Sequence, residues 1–283
     1  TSQAFPLLAT SNFKLKADNT GKRIVLTDFI VQANKVFNVH FQTIGDCTSH
    51  ACGLSIDILK AIDKVKNNKE YVADVATEIS YSLGRVEVMA RRFAGSDGCT
   101  GSGISEGARK YGVLLRKQYG KYNFTVYDGN LARRLGESGC PDELEPEAKN
   151  HILRTISLAT NVEDAAEACL NGFPTVICSN VGFDCKRDRD GKILKDKDSF
   201  LYEAGSWSHA LTLCGVDWDR SRPACLIQNS WGDFCSGPKR YNEAEGSFWV
   251  DFKTVDKMLK QNDSFTYSNF LGFEPQKLSL RLL

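Results

Sequence analysis

The sequence predicts an α+β protein of two lobes, a helical first part followed by a strand-rich second part. Two observations carry this reading. Up to about residue 140 the apolar residues recur at three- and four-residue spacings, the period of helices that pack one face on a core. After Gly172 the texture changes to short runs of Val, Ile, Leu, Phe and Trp, the composition of strands. At 283 residues, without an internal repeat or a Pro/Gly-rich linker, the chain is expected to form a single unit over 1–283. Its helical lobe is expected over about 42–142 and its β-rich lobe over about 143–275, with 1–41 as an N-terminal extension.

The first helix is read from Cys47 to Val65, where Ala51, Leu54, Ile58, Ile62 and Val65 share one face and Cys47 opens the first turn. Further helical patterns cover about Ala76 to Phe93, Ile104 to Gln118, Pro146 to Leu158 and Val162 to Asn171. Pro146 suits a first helical position, and Gly172 ends the last of these helices. Strands are expected at Phe173 to Cys178, His209 to Gly215, Ala224 to Asn229 and Ser247 to Phe252. Between the first two, the charged stretch Lys186 to Asp198 carries Asp190-Gly191, a hairpin turn signal. Its Asp188 and Asp190 lack the remaining ligands and the late Glu of an EF-hand loop, so calcium is not expected.

Hydrophobic residues make up 42% of the chain and charged residues 25%, with 36 basic against 35 acidic side chains. That balance describes an ordinary globular protein and offers nothing to nucleic acid or to an anionic membrane surface. No apolar run reaches the roughly 18 to 20 residues of a membrane span, and the first residues lack a signal-peptide pattern. A cytoplasmic or mature protein is the expectation. Ten cysteines are too few for a disulfide scaffold, and none has the spacing of a zinc or thioredoxin motif. Cys178, Cys214 and Cys225 lie inside apolar runs, as small buried residues do. No metal and no cofactor are expected.

Only His40, His50, His151 and His209 can supply an imidazole. His209 starts a strand, and 20 residues further on Asn229-Ser230-Trp231-Gly232 ends another. Neighbouring strand ends can present His209 and Asn229 on one rim. Ile44-Gly45-Asp46-Cys47 leads into the first helix, where the positive end of the backbone dipoles favours a thiolate and lowers the thiol pKa. An imidazole can take the thiol proton, and an amide oxygen can hold the ring in its working tautomer. The carboxamide of Gln42, with the Cys47 N–H, can donate to an oxyanion. The rival nucleophile Cys52 lies about 500° further round the helix than Cys47, too far to share its site. Trp207 and Phe200, before the histidine, either line a substrate pocket or pack in the core. Trp231 shields the His209–Asn229 hydrogen bond, packs as a core aromatic, or does both.

In type, order and approximate spacing, Gln42, Cys47, His209 and Asn229-Ser230-Trp231-Gly232 resemble the papain-like cysteine peptidases, over about Gln42 to Phe252. The resemblance implies a two-lobed fold, a helical lobe and an antiparallel β-barrel-like lobe, with the active site in the cleft between them. It implies Cys47 as nucleophile, His209 as base, Asn229 as its orienting residue and Gln42 in the oxyanion hole, acting on a protein or peptide substrate. Gly98-Cys99-Thr100-Gly101-Ser102-Gly103 looks like the family segment whose backbone pairs with extended substrate, which implies Gly101, Ser102 and Gly103 as binding residues beside Trp207 and Trp231.

Four departures stand out. Thr48 replaces a Trp, and Gln42 is five rather than six residues before the thiol. Asp46 opposes thiolate formation if it points inward. Ile44 stands where a Cys would pair with Cys99, leaving Cys99 free and consistent with a reducing compartment. Two other readings are therefore open. One is a structural or assembly protein, for example a virion component with protein partners, whose triad is idle or used once; the other is an acyl transferase or amidase.

Overall fold

The computed structural model describes residues 5–10, 18–34, 36–67, 73–191, 193, 195, 200–219, 221–269, 278 and 281–282. In chain order its elements are β1 (Lys22–Val25), α1 (Thr27–Asn34), α2 (Cys47–Asn67) and α3 (Thr77–Ser82), which runs on as a π-helical turn over Leu83–Val88. Then come α4 (Gly101–Lys110), the small hairpin β2 (Gln118–Tyr119) and β3 (Tyr122–Asn123), α5 (Gly129–Ser138) and α6 (Glu145–Ala148). The remainder is β4 (Thr155–Leu158), α7 (Val162–Leu170), β5 (Thr175–Phe183), β6 (Glu203–Asp217), β7 (Ala224–Gln228), β8 (Ser247–Asp251), α8 (Phe252–Leu259), β9 (Phe265–Ser268) and β10 (Arg281–Leu282).

Eight of the strands form one antiparallel sheet in the order β10-β1-β6-β5-β9-β4, with β7 on β6 and β8 on β7. The mixed fold and the antiparallel pairing are as expected. Among the described residues the sheet stays open, so the barrel-like closure is corrected. The 15-residue β6 is its spine, pairing β5 through His209 and Leu213 and β7 through Thr212 and Asp217.

Helix α2 lies on this sheet, and the Thr212 hydroxyl of β6 donates to the Ala51 carbonyl at 3.2 Å. It is buried on every face from Cys47 to Leu59 rather than along one stripe. Its polar side chains survive burial because they find partners inside. Ser49 and Ser55 donate to carbonyls one turn back, and Asp57 accepts the Val75 N–H at 3.1 Å.

Two expected helices change. The pattern from Pro146 to Leu158 is helical only at its start; Thr155–Leu158 is β4, paired with β9 from Thr155↔Ser268 to Leu158↔Phe265. Pairing with a strand more than a hundred residues away buries Ile156 and decides the conformation there. The pattern from Ile104 to Gln118 ends at Lys110, because Gly112 has φ +86° and a Cβ there would lie 2.0 Å from the Ala148 carbonyl oxygen.

The chain before residue 42 joins the strand side of the molecule. β1 pairs with the end of β6, Leu7 bridges to Leu158, and the ring of Phe5 lies 4.8 Å from that of Phe265. The charged stretch turns at Asp188–Gly191 and is bridged by Arg187 and Ile193; residues 192, 194 and 196–198 lie outside the described ones. Just before it, Cys185 forms a disulfide with Cys235, Cα atoms 5.0 Å apart. This disulfide was not foreseen from the sequence, while Cys99 is free as expected. Among the described residues no helix is long and apolar enough to cross a membrane.

Candidate active site

Cys47 is the first residue of α2, where the N–H groups of Ser49 and His50 both donate to the Asp46 carbonyl. Burial pushes its thiol up to about 11. The Ala210 backbone N–H donates to the sulfur and opposes this, the Asp46 carboxylate adds to it, and the N–H groups of Thr48 and Cys47 pull it down again. The expected lowering by the helix terminus is therefore corrected, since desolvation outweighs the dipoles. The expectation for an inward Asp46 holds, for its carboxylate is fully buried.

The donor Ala210 directly follows His209, so β6 carries both the amide that touches the sulfur and the imidazole. His209 Nε2 and Asn229 Oδ1 are 2.8 Å apart. The same Oδ1 accepts the Ser230 backbone N–H at 2.7 Å, which identifies it as the amide oxygen. An oxygen here requires His209 to donate from Nε2, and a neutral ring then keeps Nδ1 as its unprotonated nitrogen. Asn229 is fixed by its own N–H, which donates to the Gly246 carbonyl at 2.8 Å.

Trp231 lies nearly parallel to the imidazole, with centroids 4.1 Å apart and planes at 22°, and Trp207 packs edge-on to the imidazole and tilted at 59° to Trp231. Gly232 has φ +63°, and a Cβ there would meet the Phe41 ring at 3.1 Å, which accounts for the glycine after Trp231. Burial lowers His209 to about 4; the Asn229 hydrogen bond works the other way and the neighbouring His50 works with burial. The resting pair is thus a neutral thiol and a neutral imidazole.

Gln42 is held at both ends of its carboxamide. Nε2 donates to the Ile44 carbonyl at 2.8 Å, and Oε1 accepts the Ser230 hydroxyl at 2.6 Å. One Nε2 hydrogen is left for another acceptor.

Gln42, Cys47, Thr48, His209 and Trp231 line one cleft with Gly98, Cys99, Cys178, Gln261 and Asp263, and Asn229 stands behind His209. Gly101, Ser102 and Gly103 are not in its lining. They form the first turn of α4, where Asp263 accepts the N–H groups of Gly101 and Ser102 at 2.7 and 2.9 Å and Thr100 accepts that of Gly103. Phe200 is a core residue under the guanidinium groups of Arg222 and Arg240. Cys52 is fully buried, and burial pushes it up to about 12.

The sequence reading missed the polar cluster beside the thiol. His50 Nε2 lies 3.5 Å from the Asp46 carboxylate, which also accepts the Tyr127 hydroxyl at 2.9 Å. The His50 and His40 Nδ1 atoms are 3.2 Å apart. The available signal was the three-residue spacing of Cys47 and His50, which places both on one helix face.

No protein-family model matches the sequence, and no curated protein matches it either. Solved structures do match. Xylellain, a cysteine protease from Xylella fastidiosa, superposes with a TM-score of 0.58 at 17% identity, covering 94% of this chain and 92% of its own. Digestive procathepsin L 3 from the larval midgut of Tenebrio molitor gives 0.52 at 12% identity, over 94% of this chain and 74% of its own. Bromelain from Ananas comosus, solved in complex with the E64 inhibitor, gives 0.50 at 15%, over 87% and 98%. At these identities the likeness is one of fold. The chain has the fold of the papain-like cysteine proteases.

Proposed function

We propose that the chain is a papain-like cysteine peptidase that hydrolyses peptide bonds through Cys47, His209 and Asn229. The observation that carries this reading is the Asn229 carboxamide, which Ser230 fixes so that His209 keeps Nδ1 as its free base in the cleft that Cys47 also lines. That cleft has a volume of about 560 Å³, room for a few substrate residues beside Cys47 and His209. Its walls come from the two lobes we place at about 42–142 and 143–275.

In the reaction the Cys47 sulfur attacks the substrate carbonyl carbon as His209 Nδ1 takes the thiol proton. Because thiol and imidazole both start neutral, proton transfer accompanies attack instead of preceding it. The remaining Nε2 hydrogen of Gln42 and the Cys47 N–H stabilise the oxyanion. His209 returns its proton to the leaving amine as the carbon–nitrogen bond breaks, and water, deprotonated by His209, then releases the acyl group from sulfur. Trp231 lines the cleft beside the histidine, and Trp207, which is not in the lining, packs behind it against both rings.

A second reading, a structural or assembly protein with an idle triad, is favoured by one observation, the buried Asp46 carboxylate that opposes ionisation of Cys47. An epoxide thiol trap of the E64 kind separates the two. One equivalent attached at Cys47, located by mass spectrometry and lost in His209→Ala, supports the peptidase. No adduct, or adducts spread over Cys52 and Cys99, overturns it.

A further inference from the structure

Asp46 is a fully buried carboxylate adjoining the nucleophile, and it requires compensation inside the protein. Its Oδ2 has two neighbours. The Tyr127 hydroxyl donates to it at 2.9 Å, and burial and Asp46 itself keep that phenol neutral. His50 Nε2 stands 3.5 Å away, with the imidazole 2% exposed. The ring of His50 is clamped on its other sides, since its Nδ1 meets His40 Nδ1 at 3.2 Å and Tyr127 packs edge-on at 4.8 Å.

The other charged groups around this cluster are already engaged. Arg116 lies over the Tyr127 ring but is paired with Glu78 at 3.2 Å. His40 is held well below its ordinary range, first by desolvation and then by His50 and Arg116. His209 on β6 and the neutral amides of Gln228, the last residue of β7, and Asn229 just after it close the far side, and His209 is held low. Among the described residues His50 is therefore the contacting side chain that can answer the carboxylate with positive charge.

We propose that His50 is a positioning residue for Cys47: held between Asp46 and His40, it neutralises the carboxylate beside the sulfur and so sets how readily the thiol gives up its proton. The arrangement permits this in both ring states. A neutral ring points Nε2–H at Asp46 across 3.5 Å, short of a formed hydrogen bond, and accepts from His40 at Nδ1. A protonated ring donates from both nitrogens, and His40 then accepts. The proposal rests on Cys47 being the nucleophile, and it accounts for how a thiol with an acidic neighbour can still react.

The test is the rate of Cys47 alkylation by iodoacetamide as a function of pH, on the full chain, with adducts located by mass spectrometry and peptide cleavage followed in parallel. His50→Gln keeps a donor near Asp46 but cannot carry charge, and should slow labelling about tenfold near neutral pH by moving the profile upward about one unit. Asp46→Asn should move it downward by a similar amount. In the Asp46→Asn background the His50→Gln change should have under about twofold effect, since no charge remains to neutralise. Equal effects of His50→Gln in both backgrounds, or coincident profiles, overturn the proposal. If His50→Gln does not fold, Asp46→Asn decides alone, and failure to speed labelling overturns it. Shifted profiles without peptide cleavage would remove the peptidase reading and leave this one standing; cleavage with unshifted profiles would do the reverse.

Discussion

The two walls of the cleft are built in opposite ways. On the strand wall His209, Asn229, Ser230 and Trp231 lie within 23 residues of one another, just beyond the ladder that joins β6 to β7 at Thr212↔Gln228. On the helix wall Cys47 is surrounded by Asp46 and His50 from its own turn together with groups from distant segments, Ala210, His40 and Tyr127. The strand wall holds one tautomer of one base. The helix wall is a dry, partly acidic pocket that pushes the thiol up to about 11. Orientation is thus secured on one side of the cleft, while reactivity is decided on the other.

The contrast is tested first where the largest effect is expected. His209→Ala should lower peptide hydrolysis about 10³-fold or more at pH 7, because His209 is the imidazole that lines the cleft with Cys47. Steady-state kcat/KM measures it, and a loss below about tenfold would mean that the strand wall does not supply the base. Asn229→Ala should cost about 10²-fold, mostly in kcat, as the ring loses the oxygen that fixes its tautomer. An unchanged kcat would show that Trp231 stacking alone orients the imidazole.

The strand wall was legible in the sequence because its residues are close in the chain and their roles follow from residue type. The same holds for α2 and α7, whose apolar periods are plain. What was not legible depends on partners far away. The helix expected up to Leu158 is a strand because β9 pairs with it, and the open edge of the sheet follows from pairings no local pattern announces. Helix α5 was missed because it is largely polar; its signal was Asp128, whose carboxylate caps the N–H groups of Asn130 and Leu131. At the site, residue type and order pointed to Cys47, His209 and Asn229, of which Cys47 and His209 share a cleft and Asn229 bonds His209, whereas the clamp on His50 needs Tyr127 and His40, and no spacing rule connects those to Cys47.

A smaller effect sharpens the strand wall further. Burial is the first cause that holds His209 at about 4, and Trp231 covers one face of the ring. A catalytic base acts when neutral, so a lowered pKa extends activity into acid. Trp231→Ala hydrates the ring and lets its pKa rise toward the ordinary value near 6.5. The acid limb of the kcat/KM profile should then move upward, and activity at pH 5 relative to pH 7 should fall about tenfold. An acid limb that stays in place would assign the lowering to the strands and not to Trp231.

The smallest expected effect concerns Gly101, Ser102 and Gly103, which lie behind the helix wall and outside the cleft lining. Their amides are taken by Asp263 and Thr100 at the start of α4, although the family resemblance makes them substrate-binding. Asp263 also lines the cleft, so its carboxylate can cap a helix and border a bound chain at once. Asp263→Ala removes two hydrogen bonds from a helix N-terminus, which costs about 1 kcal/mol, a drop of about 2–4 °C in melting temperature for a chain of this size. If capping is all that Asp263 does, KM for peptide substrates stays within about twofold, because Gly101 and Ser102 are outside the cleft lining. If KM falls along with stability, the freed amides have become available to substrate and the binding role expected of these glycines is recovered. A variant that lowers stability and leaves KM alone places substrate pairing at Gly98 and Cys99 instead, the part of the segment that does line the cleft.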